Sequence, residues 1–142
     1  MSNPGPATTV TIHPSNLASN QAIRLIGVIT GVNLNAGTNV DFAIPVQNSS
    51  NFSVSNVIVT NASVSLTTAT VAVYPSANAT GTAIVSSTGL PSNTSSSVVN
   101  QLTINSTATQ AGQNIYLRLT APQGAAATAD VYIYGYDFSN YS

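Results

Sequence analysis

Short runs of β-branched and aromatic residues, separated by stretches that turn the chain, constrain this sequence more than anything else in it. Val57-Ile58-Val59-Thr60 and Thr70-Val71-Ala72-Val73-Tyr74 are two such runs, with a polar stretch over residues 61–69 that can reverse direction between them. Residues of this kind suit a pleated, half-buried surface. Alternation puts Val57 and Val59 on one face and Val71 and Val73 on one face, so two valine rows can meet in the same core. The rest of the chain repeats the unit, and no segment has helical periodicity of useful length.

In chain order, residues 8–12 alternate, with Val10 and Ile12 on one side. Residues 21–34 form the longest strand candidate, in which Ile23, Leu25, Gly27 and Ile29 share a face and Gly27 and Gly31 suggest a bend or bulge. Residues 40–46 point Phe42, Ile44 and Val46 inward, and Pro45 marks an edge. Residues 82–86 read as a short strand and 87–97 as a loop. Residues 98–105 put Leu102 and Ile104 on one face. Residues 115–120 alternate Ile115, Leu117 and Leu119 inward with Tyr116, Arg118 and Thr120 outward. Residues 129–138 set Val131 and Ile133 against Asp130, Tyr132, Tyr134 and Tyr136. Eight or nine short strands of this spacing predict an all-β fold, an antiparallel β-sandwich with a jelly roll first among topologies and a closed barrel second. The expected division is an extended N-terminal arm over residues 1–13, carrying one short strand, and a sandwich over 14–142.

Charge is nearly absent. Of 142 residues only Arg24, Arg118, Asp41, Asp130 and Asp137 are ionic, 4% of the chain against about 25% in ordinary domains. Such a surface has little electrostatic protection against association, which favours a chain covered by its own copies or by a partner. Nucleic-acid binding and a polybasic membrane patch both need clustered Lys and Arg, so neither partner is expected. No cysteine is present, which excludes disulfides and thiolate metal sites. Residues 1–6 show no basic or apolar signal segment, and the longest apolar stretch, 22–32, is too short and too interrupted to span a bilayer.

Catalytic groups are equally scarce. His13 is the one histidine, and with Pro14 after it the expectation is a solvated or capping imidazole at a strand end rather than a triad base. Asp130 and Asp137 stand seven residues apart on one strand, on opposite faces and about 23 Å apart, too far for paired-carboxylate hydrolysis. No spacing supports a metal site or a phosphate loop, so neither a cofactor nor an enzymatic activity is expected. Asn-x-Ser/Thr triplets occur at seven positions, as chance allows in a chain so rich in these residues.

The most specific local feature is aromatic. Tyr132, Tyr134 and Tyr136 share a strand face, and Tyr116 with Arg118 occupies an outward face of the preceding strand. If those strands pair, Arg118 lies over a tyrosine ring, worth about 0.5–1 kcal/mol when exposed. The stripe can simply dress the sheet by cross-strand contact, serve as an oligomer or partner interface, or offer a platform for sugar.

Two stretches carry a family resemblance: Val57-Ile58-Val59-Thr60-Asn61-Ala62-Ser63-Val64-Ser65-Leu66-Thr67-Thr68-Ala69, and the longer run from Leu117 through Thr120-Ala121-Pro122-Gln123-Gly124-Ala125-Ala126-Ala127-Thr128-Ala129-Asp130 to Gly135. They resemble small structural proteins of tailed-phage virions, loosely over the C-terminal two-thirds of the chain, with departures at Pro122 and in the lower charge. The resemblance implies a capsid decoration, or cement, protein on the outer surface of a phage head, binding the major capsid protein and itself, most simply as a homotrimer. It carries no catalytic residues. A carbohydrate-binding or adhesin module of a head or tail fibre and a minor tail or neck subunit are the alternatives. The candidate interface is Val10 and Ile12 of the arm with Tyr116, Arg118, Tyr132, Tyr134 and Tyr136.

Overall fold

Ile115, Leu117 and Leu119 are fully buried and their neighbours Tyr116, Arg118 and Thr120 half-buried, the signature of a strand with one face on a core. That strand is one of nine in the computed structural model, which describes residues 23–47 and 51–138. The arm over residues 1–13, with Val10, Ile12 and His13, lies outside the described residues.

The strands are β1 (Arg24–Asn33), β2 (Val40–Pro45), β3 (Asn51–Thr60), β4 (Thr70–Tyr74), β5 (Val85–Gly89), β6 (Asn100–Leu102), β7 (Gln110–Ala111), β8 (Asn114–Ala121) and β9 (Thr128–Asp137). Every pairing is antiparallel. One sheet runs β1-β9-β3-β6, with the short β7 also on β3; the other runs β2-β8-β4-β5. The two inner faces supply one hydrophobic core, so the fold is the expected all-β sandwich.

The pairing is nested. β4 pairs β5, β3 pairs β6, β2 pairs β8 and β1 pairs β9, each bracketing the one before and each in the other sheet from it. Cross-pairs β4–β8 and β3–β9 then knit each sheet together. The chain behaves as one long hairpin rolled about the core.

This winding corrects several expectations. Residues 61–69 cross from one sheet to the other, because β3 and β4 lie in opposite sheets. The two valine rows do meet: Val57, Val59, Val71 and Val73 are all buried, facing each other across the sandwich. The strand expected over 82–86 runs instead over Val85–Gly89, since Ile84 leaves the ladder to fill the core and its N–H donates to the Val73 carbonyl at 2.8 Å.

In β1 the expected inward row holds in part: Gly27 and Ile29 meet the core, Ile23 and Leu25 do not, and irregularities occur beside Gly27 and Gly31 as expected. The register slips between Leu25 and Gly27 and again between Ile29 and Val32, so Ile26, Gly27 and Val32 face the core while Leu25 turns outward. Each bulge inserts a residue and switches the side-chain phase. Gly27 is needed at the first of them because a Cβ there would lie 2.8 Å from Ile44 Cγ2 of the facing sheet. Pro45 sits on β2, an edge strand as expected, and Ile44 is buried with Phe42 and Val46 packed beside it.

Candidate functional site

The described candidate residues divide between two outer faces with the core between them. β9 carries Tyr132, Tyr134 and Tyr136 on the outer face of the first sheet, alternating with buried Val131, Ile133, Gly135 and Asp137. β8 carries Tyr116 and Arg118 on the outer face of the second sheet. β8 and β9 do not pair, so the expected stacking of Arg118 on a tyrosine of β9 is not formed. Arg118 reaches Asp41 directly opposite on β2 instead, with Nη1 to Oδ1 at 2.9 Å. Sequence distance had made β8 and β9 look like a hairpin. The connection over residues 122–127 crosses between sheets.

The second face is polar and internally bonded. Asp41 takes the Arg118 guanidinium on one oxygen and the Asn78 N–H on the other at 2.7 Å, which ties the turn after β4 to the sheet. Thr120 Oγ1 lies 2.6 Å from Thr70 Oγ1 and 2.7 Å from Ser87 Oγ, a hydroxyl ladder across three strands. Tyr116 stands opposite Tyr74 across β8–β4. Its ring borders an open cleft of about 240 Å³ lined also by Pro75, Ser76, Gln113 and Asn114. No cluster of His, Cys, Asp or Glu that could hold a metal occurs among the described residues.

The first face is different in kind. Across β1-β9-β3-β6 one row reads Val28, Tyr132, Ile58, Gln101, and the next reads Leu25, Tyr134, Asn56. Tyr136 stacks on Phe138 at the end of β9, with ring centroids 6.4 Å apart and planes 19° from parallel. Ile23, two residues before Leu25, is 50% exposed and Phe138 is 36% exposed. The side chains form a mainly apolar and aromatic stripe, half-buried along β1 and β9, with Asn56 and Gln101 as the polar members of its rows. Only Asp130 among the charged residues belongs to it, at the far end of β9. There its carboxylate accepts the Gly31 N–H at 2.8 Å and the Asn61 Nδ2 at 3.0 Å.

All five charged side chains are thus engaged within the fold. Arg24 Nη2 meets Asp137 Oδ2 at 2.9 Å, with Asp137 buried; Arg118 meets Asp41; Asp130 holds two amide donors. Two amides that the sequence did not distinguish from its many others also prove to be struts. Asn93 is fully buried, donates to the Val59 carbonyl at 3.0 Å and accepts from Asn100 at 2.8 Å. Gln123 accepts the Thr68 and Ala69 N–H groups on one oxygen, both at 3.0 Å, and donates to Ser65 O and Thr67 Oγ1. Nothing in their local sequence marks them, because the signal is the burial of the groups they satisfy.

Comparison with protein-family models, with curated proteins and with solved structures finds no match.

Proposed function

We propose that this protein is a non-enzymatic structural component of a tailed-phage virion, a decoration protein that binds the outer surface of the head and contacts the major capsid protein as a homo-oligomer. The observation that carries the reading is the use made of charge. The five ionic side chains all make bonds within the fold, and one sheet face is left with a mainly apolar and aromatic stripe along β9 and β1. A small domain with that surface is suited to being covered. The strand order β1-β9-β3-β6 against β2-β8-β4-β5, with its nested pairing, supports reading the sandwich as a jelly roll. Jelly rolls recur in viral capsid and lectin domains. Between those two, the capsid role is favoured by the resemblance over residues 57–69 and 117–135. A lectin role would draw polar groups into a concave site, whereas Asn93, Gln123 and the Arg118–Asp41 pair brace loops and strands.

Locating the protein in a reconstruction of the virion tests this. The expected density lies on the outside of the head shell, and heads stripped of the protein break at lower temperature than intact ones. Density confined to the neck, tail or a fibre tip would replace the decoration role with one of the other structural roles.

A further inference from the structure

We infer that the outer face of the sheet β1-β9-β3-β6 is a self-association surface, which a second copy of this chain covers face to face about a twofold axis. The inference does not depend on the virion assignment.

Three observations converge. The face is mainly apolar beside β9: Leu25, Val28, Ile58, Tyr132 and Tyr134 adjoin one another across paired strands, with Asn56 among them, and the exposed Phe138 follows the end of β9. The opposite outer face of the same molecule has the polar groups, with the Arg118–Asp41 pair and the Thr70–Thr120–Ser87 ladder. Two sheets of one small domain, built from similar residues, therefore have outer surfaces of contrasting character. Water suits one of them and an apolar partner the other.

Charge selects the partner. An isologous contact lays a patch on its own copy, so any ionic group near the axis meets its own sign. The stripe carries no ionic group between Asp130 and the far end of β9, and Asp130 lies at its margin, already holding two amide donors. A partner recognised through charge would find nothing to read here, whereas an identical neutral face fits. Tyrosine suits the contact because its ring buries large area while the hydroxyl stays able to bond at a wet interface.

Size agrees. β1, β3 and β9 are each ten residues long. Three strands about 4.8 Å apart and about 33 Å long present roughly 480 Å², so the pair buries roughly 1,000 Å², the floor for a specific interface. Stacked faces pack about 10 Å apart with strands crossing near 30°, and tyrosine rings fill that gap.

Sedimentation of the full-length protein at micromolar concentration tests the inference, with Tyr134→Glu at the centre of the stripe and Ala43→Glu on the exposed outer face of the other sheet. Circular dichroism and thermal melting show that each variant is folded. A Tyr134→Glu chain that does not fold is replaced by Val28→Asp. The wild type and Ala43→Glu are expected at twice 14.4 kDa. Tyr134→Glu is expected at 14.4 kDa, its dissociation constant raised about 100-fold or more by the unpaired carboxylate it would bury. A monomeric wild type overturns the inference, and so does a trimer or other oligomer whose mass is unchanged by the charge at position 134.

Discussion

Among the described glycines, Gly135 has the least room for a side chain. It sits near the close of β9 where the register with β3 slips between Val54 and Asn56, and an added Cβ would collide with the carbonyl oxygen of Ser53. The obstacle is backbone of the adjacent strand, which cannot rotate away, so Gly135→Ala must spread β3 from β9. We expect a loss of about 1–3 kcal/mol or more, as overpacking costs, seen as a lower denaturant midpoint. Gly89→Ala is the comparison. Its Cβ would make an ordinary contact 3.4 Å from Pro91 Cδ, so stability should change by less than about 1 kcal/mol, in either direction. Equal losses in the two variants would mean that the close approach to Ser53 does not set the cost. The sequence shows a glycine at 135 inside a strand pattern but cannot show which backbone it approaches.

At the scale of the element, β8 is the best place to test the layering. Leu117→Ala removes a fully buried side chain facing Phe42 and Val73 across the ladder, and should cost about 2–5 kcal/mol. Thr120→Ala, from the outward row, would be near neutral on a bare surface. Its hydroxyl also bonds the Thr70 carbonyl at 3.1 Å as well as the two hydroxyls, so about 0.5–1.5 kcal/mol is expected. Urea titrations of the two variants should therefore separate clearly while keeping the wild-type slope.

β8 and β9 were legible in the sequence, as were the inward row of β2 and the all-β class, because strict alternation over six to ten residues leaves one assignment for each face. β1 was legible only in part. Its apolar residues continue through both bulges, and a bulge shifts phase without changing composition, so Ile23 and Leu25 read as core and lie outside it. Sheet membership was hidden for a different reason. A connecting segment of six to nine residues reads alike whether it joins neighbours in one sheet or crosses to the other, as residues 61–69 and 122–127 do. Of the candidate interface, the tyrosine face of β9 came from alternation. Its coupling to Tyr116 and Arg118 required β8 and β9 to pair, and they lie in different sheets. The apolar rows that flank it depend on pairings between residues about a hundred positions apart.

For the whole molecule, the pairing of every ionic group makes an unusual prediction about solvent. The contacts Arg24–Asp137 and Arg118–Asp41 are short and partly buried, and no long-range field of one sign surrounds them. Raising sodium chloride from about 10 mM to about 1 M shrinks the screening length from about 30 Å to about 3 Å. Unfolding free energy should move by less than about 0.5 kcal/mol over that range. A shift above about 1 kcal/mol in either direction would reveal an electrostatic contribution beyond the two pairs.

The nested winding has a mechanical corollary. Arg24 opens β1 and stands beside Gly135 near the close of β9, so the two ends of the described domain leave it side by side. A force applied between them would load the β1–β9 ladder one hydrogen bond at a time, peeling β1 from the edge of its sheet instead of shearing all the bonds together. The domain should therefore yield at low force when stretched by its ends, whatever its resistance to heat. Held instead across its broad faces, it would bear load through the whole core at once.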